Sequence, residues 1–253
     1  MSVGLTIAGR RLRVDGSDVV EEAVRRRFGA FVGDGAAEIV IEVQNGHFDP
    51  LYQVVEPLAL GWRGEIATFE GMGRGEYDPA AQRGFVRECT GLLPIDAMIR
   101  LALSTSLPRH RMLLLHGAAL PGGVALCGAS GTGKSTAAAA LGAACDEVIA
   151  LEVGDGELLL HATPYWGGRP SKARLTRLIS LKRGGTGAQR LSGARAVREL
   201  LGHVVRYLAS PSLDRAVLSV AAAACSLRPV EILDCPEGGA FLPFLIGQLE
   251  ARA

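Results

Sequence analysis

Little in this chain points to polyanions, lipid or oxidising surroundings. The 253 residues carry 27 Lys and Arg against 26 Asp and Glu, a formal net charge of +1. A general nucleic-acid binder needs a basic excess to neutralise phosphates, so the reading is no nucleic-acid partner. No block of one charge sign occurs either. The five cysteines, Cys89, Cys127, Cys145, Cys225 and Cys235, are scattered and lack metal-ligand spacing. They read as buried free thiols in a reducing compartment, not as a disulfide framework or a zinc site. The longest uncharged stretch, Met112 to Gly133, is broken by Pro121-Gly122-Gly123. A membrane helix needs roughly 20 continuous apolar residues, so two buried strands fit this stretch better. Ala216 to Leu227 is too short to span. The first residues, MSVGLTIAGRRLRV, put arginines after a very short apolar run, which is not the order of a signal peptide. The expectation is a soluble, cytoplasmic protein with no membrane partner.

What is present divides into two parts. Residues 1–93 show short runs of alternating polarity at Leu5–Val14, Glu38–Val43 and Glu65–Phe69, separated by Gly- and Asp-rich turns. They predict a small β-rich N-terminal module, with Met72–Asp78 as a loop. From Pro94 to residue 253 the pattern changes. Helical spacing covers Ile95–Thr105, followed by apolar strands at Met112–His116 and Val124–Cys127. A short helix is expected over Thr136–Ala143. Glu147–Val153 and Glu157–His161, flanking Gly154-Asp155-Gly156, predict a hairpin. A strand at Leu175–Leu181 follows, then helices at Ala194–Leu208 and Leu213–Ser226. A strand at Val230–Leu233 and a helix at Phe241–Arg252 complete the pattern.

Between Val124–Cys127 and the short helix lies Gly128-Ala129-Ser130-Gly131-Thr132-Gly133-Lys134-Ser135, a full match to G-x-x-x-x-G-K-[ST]. Its glycines let backbone amides turn inward around phosphate oxygens, and the helix start at Thr136 adds amides and a favourable dipole. Lys134 brings a positive charge to the β and γ phosphates, and the Ser135 hydroxyl a ligand for Mg²⁺. The loop therefore implies ATP or GTP with magnesium, and says nothing of where the γ-phosphate goes. Leu191-Ser192-Gly193 shares letters with the LSGGQ signature of ABC-type ATPases, but Ala194-Arg195 replaces Gly-Gln. Asp234, at the end of an apolar strand, suits either a small-molecule kinase or a plain strand end.

Three features in order carry more. Leu115-His116-Gly117-Ala118 precedes the loop, and Cys145-Asp146-Glu147-Val148 opens the hairpin after it. Thr163-Pro164-Tyr165-Trp166-Gly167 then closes the hairpin. This order resembles the HPr kinase/phosphorylase family, and more closely its short HPr-kinase-like serine kinase relatives from peptide-modification gene clusters. The resemblance covers roughly Pro94 to the C-terminus. It implies an α/β fold with a mixed β-sheet, of the P-loop kinase type shared by HPr kinase and PEP carboxykinase-like domains. It further implies Asp146 as general base toward an acceptor serine, Glu147 as a metal ligand, and His116 beside the phosphate site. The family's Glu-Ile-Arg-Gly-Leu-Gly segment has no match, so phosphorolysis and HPr as substrate do not carry over.

The residue chemistry suits these roles. Phosphoryl transfer is mainly positioning and charge neutralisation, and a hydroxyl acceptor needs a carboxylate within reach. Of the basic residues between Thr163 and Arg177, Arg169 is the candidate for touching phosphate. The sequence thus predicts a Mg²⁺- and ATP-dependent kinase acting on a peptide or protein. A small-molecule hydroxyl kinase and a non-catalytic ATP-binding regulatory module are the alternatives. A homo-oligomer is left open.

Overall fold

The computed structural model describes residues 1–45, 59–71, 73–89 and 91–251. Met72 and Arg252, and the side chains of Cys89 and Trp166, lie outside the described residues. Among those described, the chain is mixed α/β with two mixed sheets and six α-helices. It divides into two compact units, Met1–His110 with Arg206–Leu213, and Arg111–Val205 with Asp214–Ala253.

The first unit contains β1 (Ser2–Ile7), β2 (Arg10–Asp15), α1 (Asp18–Phe28), β3 (Ile39–Asn45), β4 (Ala59–Arg63), β5 (Ile66–Glu70), β6 (Arg74–Asp78), β7 (Arg83–Cys89) and α2 (Leu92–Ser106). Its sheet runs in the order β1-β2-β3-β7-β6-β5-β4. Leu5–Val14, expected as one strand, reverses at Ala8-Gly9, both at positive φ (51° and 74°). Ile7 and Arg10 pair across this two-residue turn, which twists with the strands. Ala-Gly is a weaker written signal for such a turn than Asn-Gly. The expected loop at Met72–Asp78 instead contains β6. Gly75 marks a strand there because a Cβ at that position would lie 2.0 Å from the Phe69 ring, so only glycine admits it. Helix α1 went unread in the sequence, although acidic residues open it and arginines close it. Helix α2 packs on β3, β6 and β7 through a face that includes Ile95, Met98 and Ile99. The boundary expected at Pro94 therefore falls inside this helix, within the first unit.

The second unit holds β8 (Met112–Leu120), β9 (Val124–Gly128), α3 (Lys134–Leu141), β10 (Val148–Val153), β11 (Leu158–Ala162), β12 (Lys172–Arg174), β13 (Arg177–Arg183), β14 (Ala188–Leu191), α4 (Gly193–Leu201), α5 (Pro211–Leu227), β15 (Val230–Cys235) and α6 (Phe241–Glu250). Helix α5 starts in the segment that belongs to the first unit. The sheet order is β12-β11-β10-β8-β9-β13-β15-β14. Strands β9, β13 and β15 run parallel, and the other pairs are antiparallel.

Strand β8 is long and shared. Its first half pairs with β10 and its second half with β9. One face of the sheet carries Leu126, Ile179, Leu181 and Leu233 against Ala137 and Ala138 of α3 and Phe241 and Leu245 of α6. Arg177, buried, makes a bidentate pair with buried Glu231 (3.2 and 3.0 Å) and donates to the Gln248 carbonyl of α6 (2.9 Å). The helix expected to run on to Leu208 stops at Leu201. The chain then turns into strand-like pairing, with the His116 N–H bonded to the His203 carbonyl (2.7 Å) and the Val205 N–H to the Leu114 carbonyl (2.8 Å). Open backbone groups on the first half of β8 draw that segment out of the helix.

Candidate functional site

The glycine-rich loop leaves the end of β9 and enters α3. Gly128, Gly131 and Gly133 all take positive φ (157°, 79° and 101°). A Cβ on Gly133 would lie 2.6 Å from the Phe241 ring, and one on Gly128 2.7 Å from Thr132 Oγ1. Both positions need glycine for space as well as for φ. The Ala129 carbonyl organises the loop. It accepts the Thr132 N–H (3.3 Å), the Thr132 hydroxyl (2.9 Å) and the Lys134 ammonium (2.9 Å). Lys134 is buried, and burial lowers its pKa while nearby Asp146 pushes it back up.

Helix α3 has eight residues, and Gly142 in the left-handed conformation (φ 67°) ends it. The chain is then pinned to β8. The Ala144 N–H reaches the Ala119 carbonyl (2.8 Å), and the Ala119 N–H reaches the Cys145 carbonyl (3.0 Å). Next comes the acidic pair. The Val148 N–H bonds the Asp146 carbonyl (3.0 Å), and Glu147 between them has φ 73°. That is a γ-turn with a positive central φ, a strained form that surrounding structure must hold. Two neighbours hold it. The Glu147 carbonyl accepts the Gly117 N–H of β8 (3.0 Å), and the Thr163 hydroxyl donates to the Val148 carbonyl. Asp146 Oδ1 accepts the Glu147 N–H (2.8 Å).

These elements surround one cavity of about 390 Å³, lined by His116, Ser130, Gly131, Gly133, Lys134, Ser135, Thr136, Asp146, Glu147 and Arg183. Gly128, Ala129 and Thr132 build the loop without lining the cavity. The His116 pKa is lowered by burial and by Lys134, against the opposing pull of the Glu147 carbonyl and the two carboxylates. Its imidazole is therefore neutral at pH 7. Asp146 and Glu147 approach from the β10 side and Arg183 from the end of β13, the strand on the other side of β9. Amides, an ammonium, a guanidinium, a hydroxyl and two carboxylates around one volume can hold a polyanion together with a divalent cation.

Arg169 is exposed and does not line the cavity. Its backbone N–H bonds the Ala144 carbonyl (2.8 Å) and so ties the chain after the Thr163–Gly167 turn to the connecting segment before the acidic pair. Asp234 does not line the cavity either. Its N–H bonds the Gly187 carbonyl (2.9 Å). Sequence reasoning missed Arg183, whose place follows from parallel pairing of β13 with β9 (Leu181 opposite Gly128). It also missed the bracing by Thr163. Cys127 and Cys145, which flank the site, are buried thiols pushed up to about 12 and about 11. They are inert at neutral pH. Among the described residues, no cluster of three or more His, Cys, Asp or Glu is arranged to hold a metal alone. No helix there is long and apolar enough to cross a membrane. No protein-family model matches the chain, and no curated protein matches it.

Proposed function

We propose that the chain is a Mg-ATP-dependent kinase that transfers the γ-phosphate to a serine hydroxyl of a peptide or protein. One observation carries the reading. The carboxylates of Asp146 and Glu147 share a single cavity with the loop residues Lys134 and Ser135. A phosphate loop alone binds nucleotide, whereas a carboxylate facing it across the cavity gives a hydroxyl somewhere to lose its proton. The donor set also fits magnesium in kind. Mg²⁺ in phosphoryl-transfer sites takes one or two protein oxygens plus phosphate and water, so a hydroxyl and a carboxylate suffice. Ser135 and Glu147 would hold it, and its charge would neutralise the phosphate oxygens.

In this reading the loop amides and Lys134 hold the triphosphate, and Arg183 adds charge from the opposite rim. Asp146 accepts the acceptor's hydroxyl proton. The oxygen so activated bonds to the γ-phosphorus while the β–γ bridging bond breaks, and ADP leaves with that electron pair. His116 stands beside the phosphates and braces the acidic turn through its bond to the Glu147 backbone. The fold this implies is the P-loop type with a mixed sheet that HPr-kinase-like proteins have, and a cytoplasmic setting suits it. The test incubates labelled ATP with candidate peptides and proteins beside Lys134→Ala and Asp146→Asn. Transfer is expected to vanish in the first and to fall at least about 100-fold in the second. Wild-type transfer by Asp146→Asn overturns the base assignment. Tight ATP binding with no transfer to any hydroxyl points to a regulatory module instead.

A further inference from the structure

We propose that His203, seated by Ser180 and Glu199, is a positioning residue for His116. The inference rests on the reading that His116 belongs to the working site. Its observations lie on the sheet face opposite α3. Ser180 and Lys182 alternate along β13 with Ile179 and Leu181, which face α3 and α6. They point instead toward Glu199 of α4. Lys182 Nζ donates to Glu199 Oε1 (2.6 Å), and the Ser180 hydroxyl donates to the same oxygen (2.6 Å). That hydroxyl has one proton. Its 2.8 Å contact with His203 Nε2 is therefore one in which the imidazole N–H donates and Ser180 accepts. His203 is thus protonated on Nε2. Burial and the lysines Lys182 and Lys134 keep its pKa low, against the pull of Glu199.

All three members of the assembly are buried or half-buried, and each proton has an acceptor. The backbone carbonyl of the residue so fixed leads to the site. It accepts the His116 N–H at 2.7 Å. Leu115 and Val204 form the adjacent bridge. At His116, β8 is still paired with β10 on one edge, while on its other edge β9 pairs only from Gly117 onward, because β9 ends where the phosphate loop turns away. The His203 segment fills that edge. It decides where the His116 backbone lies, and so how far the imidazole stands from Lys134.

The experiment compares His203→Ala, Ser180→Ala and His203→Gln in the full chain. Gln places an amide N–H near the position of Nε2. Amide hydrogen exchange at His116 is read by NMR, with Leu160 of β11 and Ile41 of β3 as controls. Exchange at His116 is expected to quicken about tenfold in both Ala variants and to stay unchanged in His203→Gln, with the controls unmoved. With MgATP, kcat is expected to fall about tenfold at constant KM in the Ala variants only. Protection of His116 that survives both Ala variants overturns the proposal. So does equal loss at the controls, or a Gln variant that behaves as Ala. If His203→Ala fails to fold, His203→Asn decides in its place, because its amide sits nearer Nδ1 and should leave His116 unprotected. Failure of the wild type to bind MgATP sinks the kinase reading, while the exchange data still decide this one.

Discussion

Strand β9 has unlike neighbours. On its antiparallel side, β8 and β10 bring His116, Asp146 and Glu147 to the cavity through a strained γ-turn. On its parallel side, β13 and β15 are regular, bring Arg183 to the rim, and are locked by the buried Arg177–Glu231 pair. Acid and strain lie on one flank, base and regular pairing on the other. The difference teaches where to look for chemistry beside a phosphate loop. On the proposed reading, the reacting flank is the one whose backbone is held out of its ordinary conformations, and the enduring flank is the one whose charges are paired and buried.

Substitutions can break this division. Asp146→Asn should cost the most activity, on the order of 1000-fold in kcat with the ATP KM little changed, as steady-state kinetics would show. Arg177→Met should leave turnover of the folded fraction intact but strand Glu231 in the core. Urea unfolding should then show a loss of about 3 kcal/mol. A large kinetic defect there would mean the flanks are not separate. Arg183→Ala should raise the ATP KM about tenfold, an effect that shrinks with added salt. If it lowers kcat as Asp146→Asn does, the rim cation belongs with the chemistry.

Glu147→Gly should move stability and activity in opposite directions. Glycine relieves the positive φ and adds about 1 kcal/mol to thermal stability, while loss of the carboxylate slows transfer. The smallest effect concerns pH. His203 has a folded pKa below its unfolded value, so the unfolded chain binds the extra proton. Its contribution is present above roughly pH 6.5 and is lost as pH falls through that value toward the folded one. His203→Gln should flatten that part of the urea-midpoint profile between pH 7 and 5.

What could be read in advance follows from distance along the chain. The loop, His116 and the acidic pair are local patterns flanked by strong strand signals, and they meet in one cavity. Arg183 carries no local mark. It matters because β13 lies parallel to β9 some 50 residues away, and only the pairing shows that. Arg169 looked suitable by its place in a basic loop, yet its backbone does the bonding there. In the first unit, β6 was hidden by Gly75, which serves packing against the Phe69 ring rather than turning. The end of α4 was hidden because β8's open edge outcompetes helix continuation, a tertiary effect that propensity cannot record.

The stretch between the loop and the acids is short, and its anchoring has a consequence for length. Cys145 is fixed by Ala119, and β10 beyond it is buried from Val148 to Leu151. A slip of one residue would turn that whole strand inside out, because its side chains alternate. An added residue would therefore bulge at Gly142–Ala143, where the chain is not buried, and Asp146 would stay where it is. The acids are addressed from the sheet, not counted off from the loop, so the number of letters between them is free to drift while the distance between the groups is not.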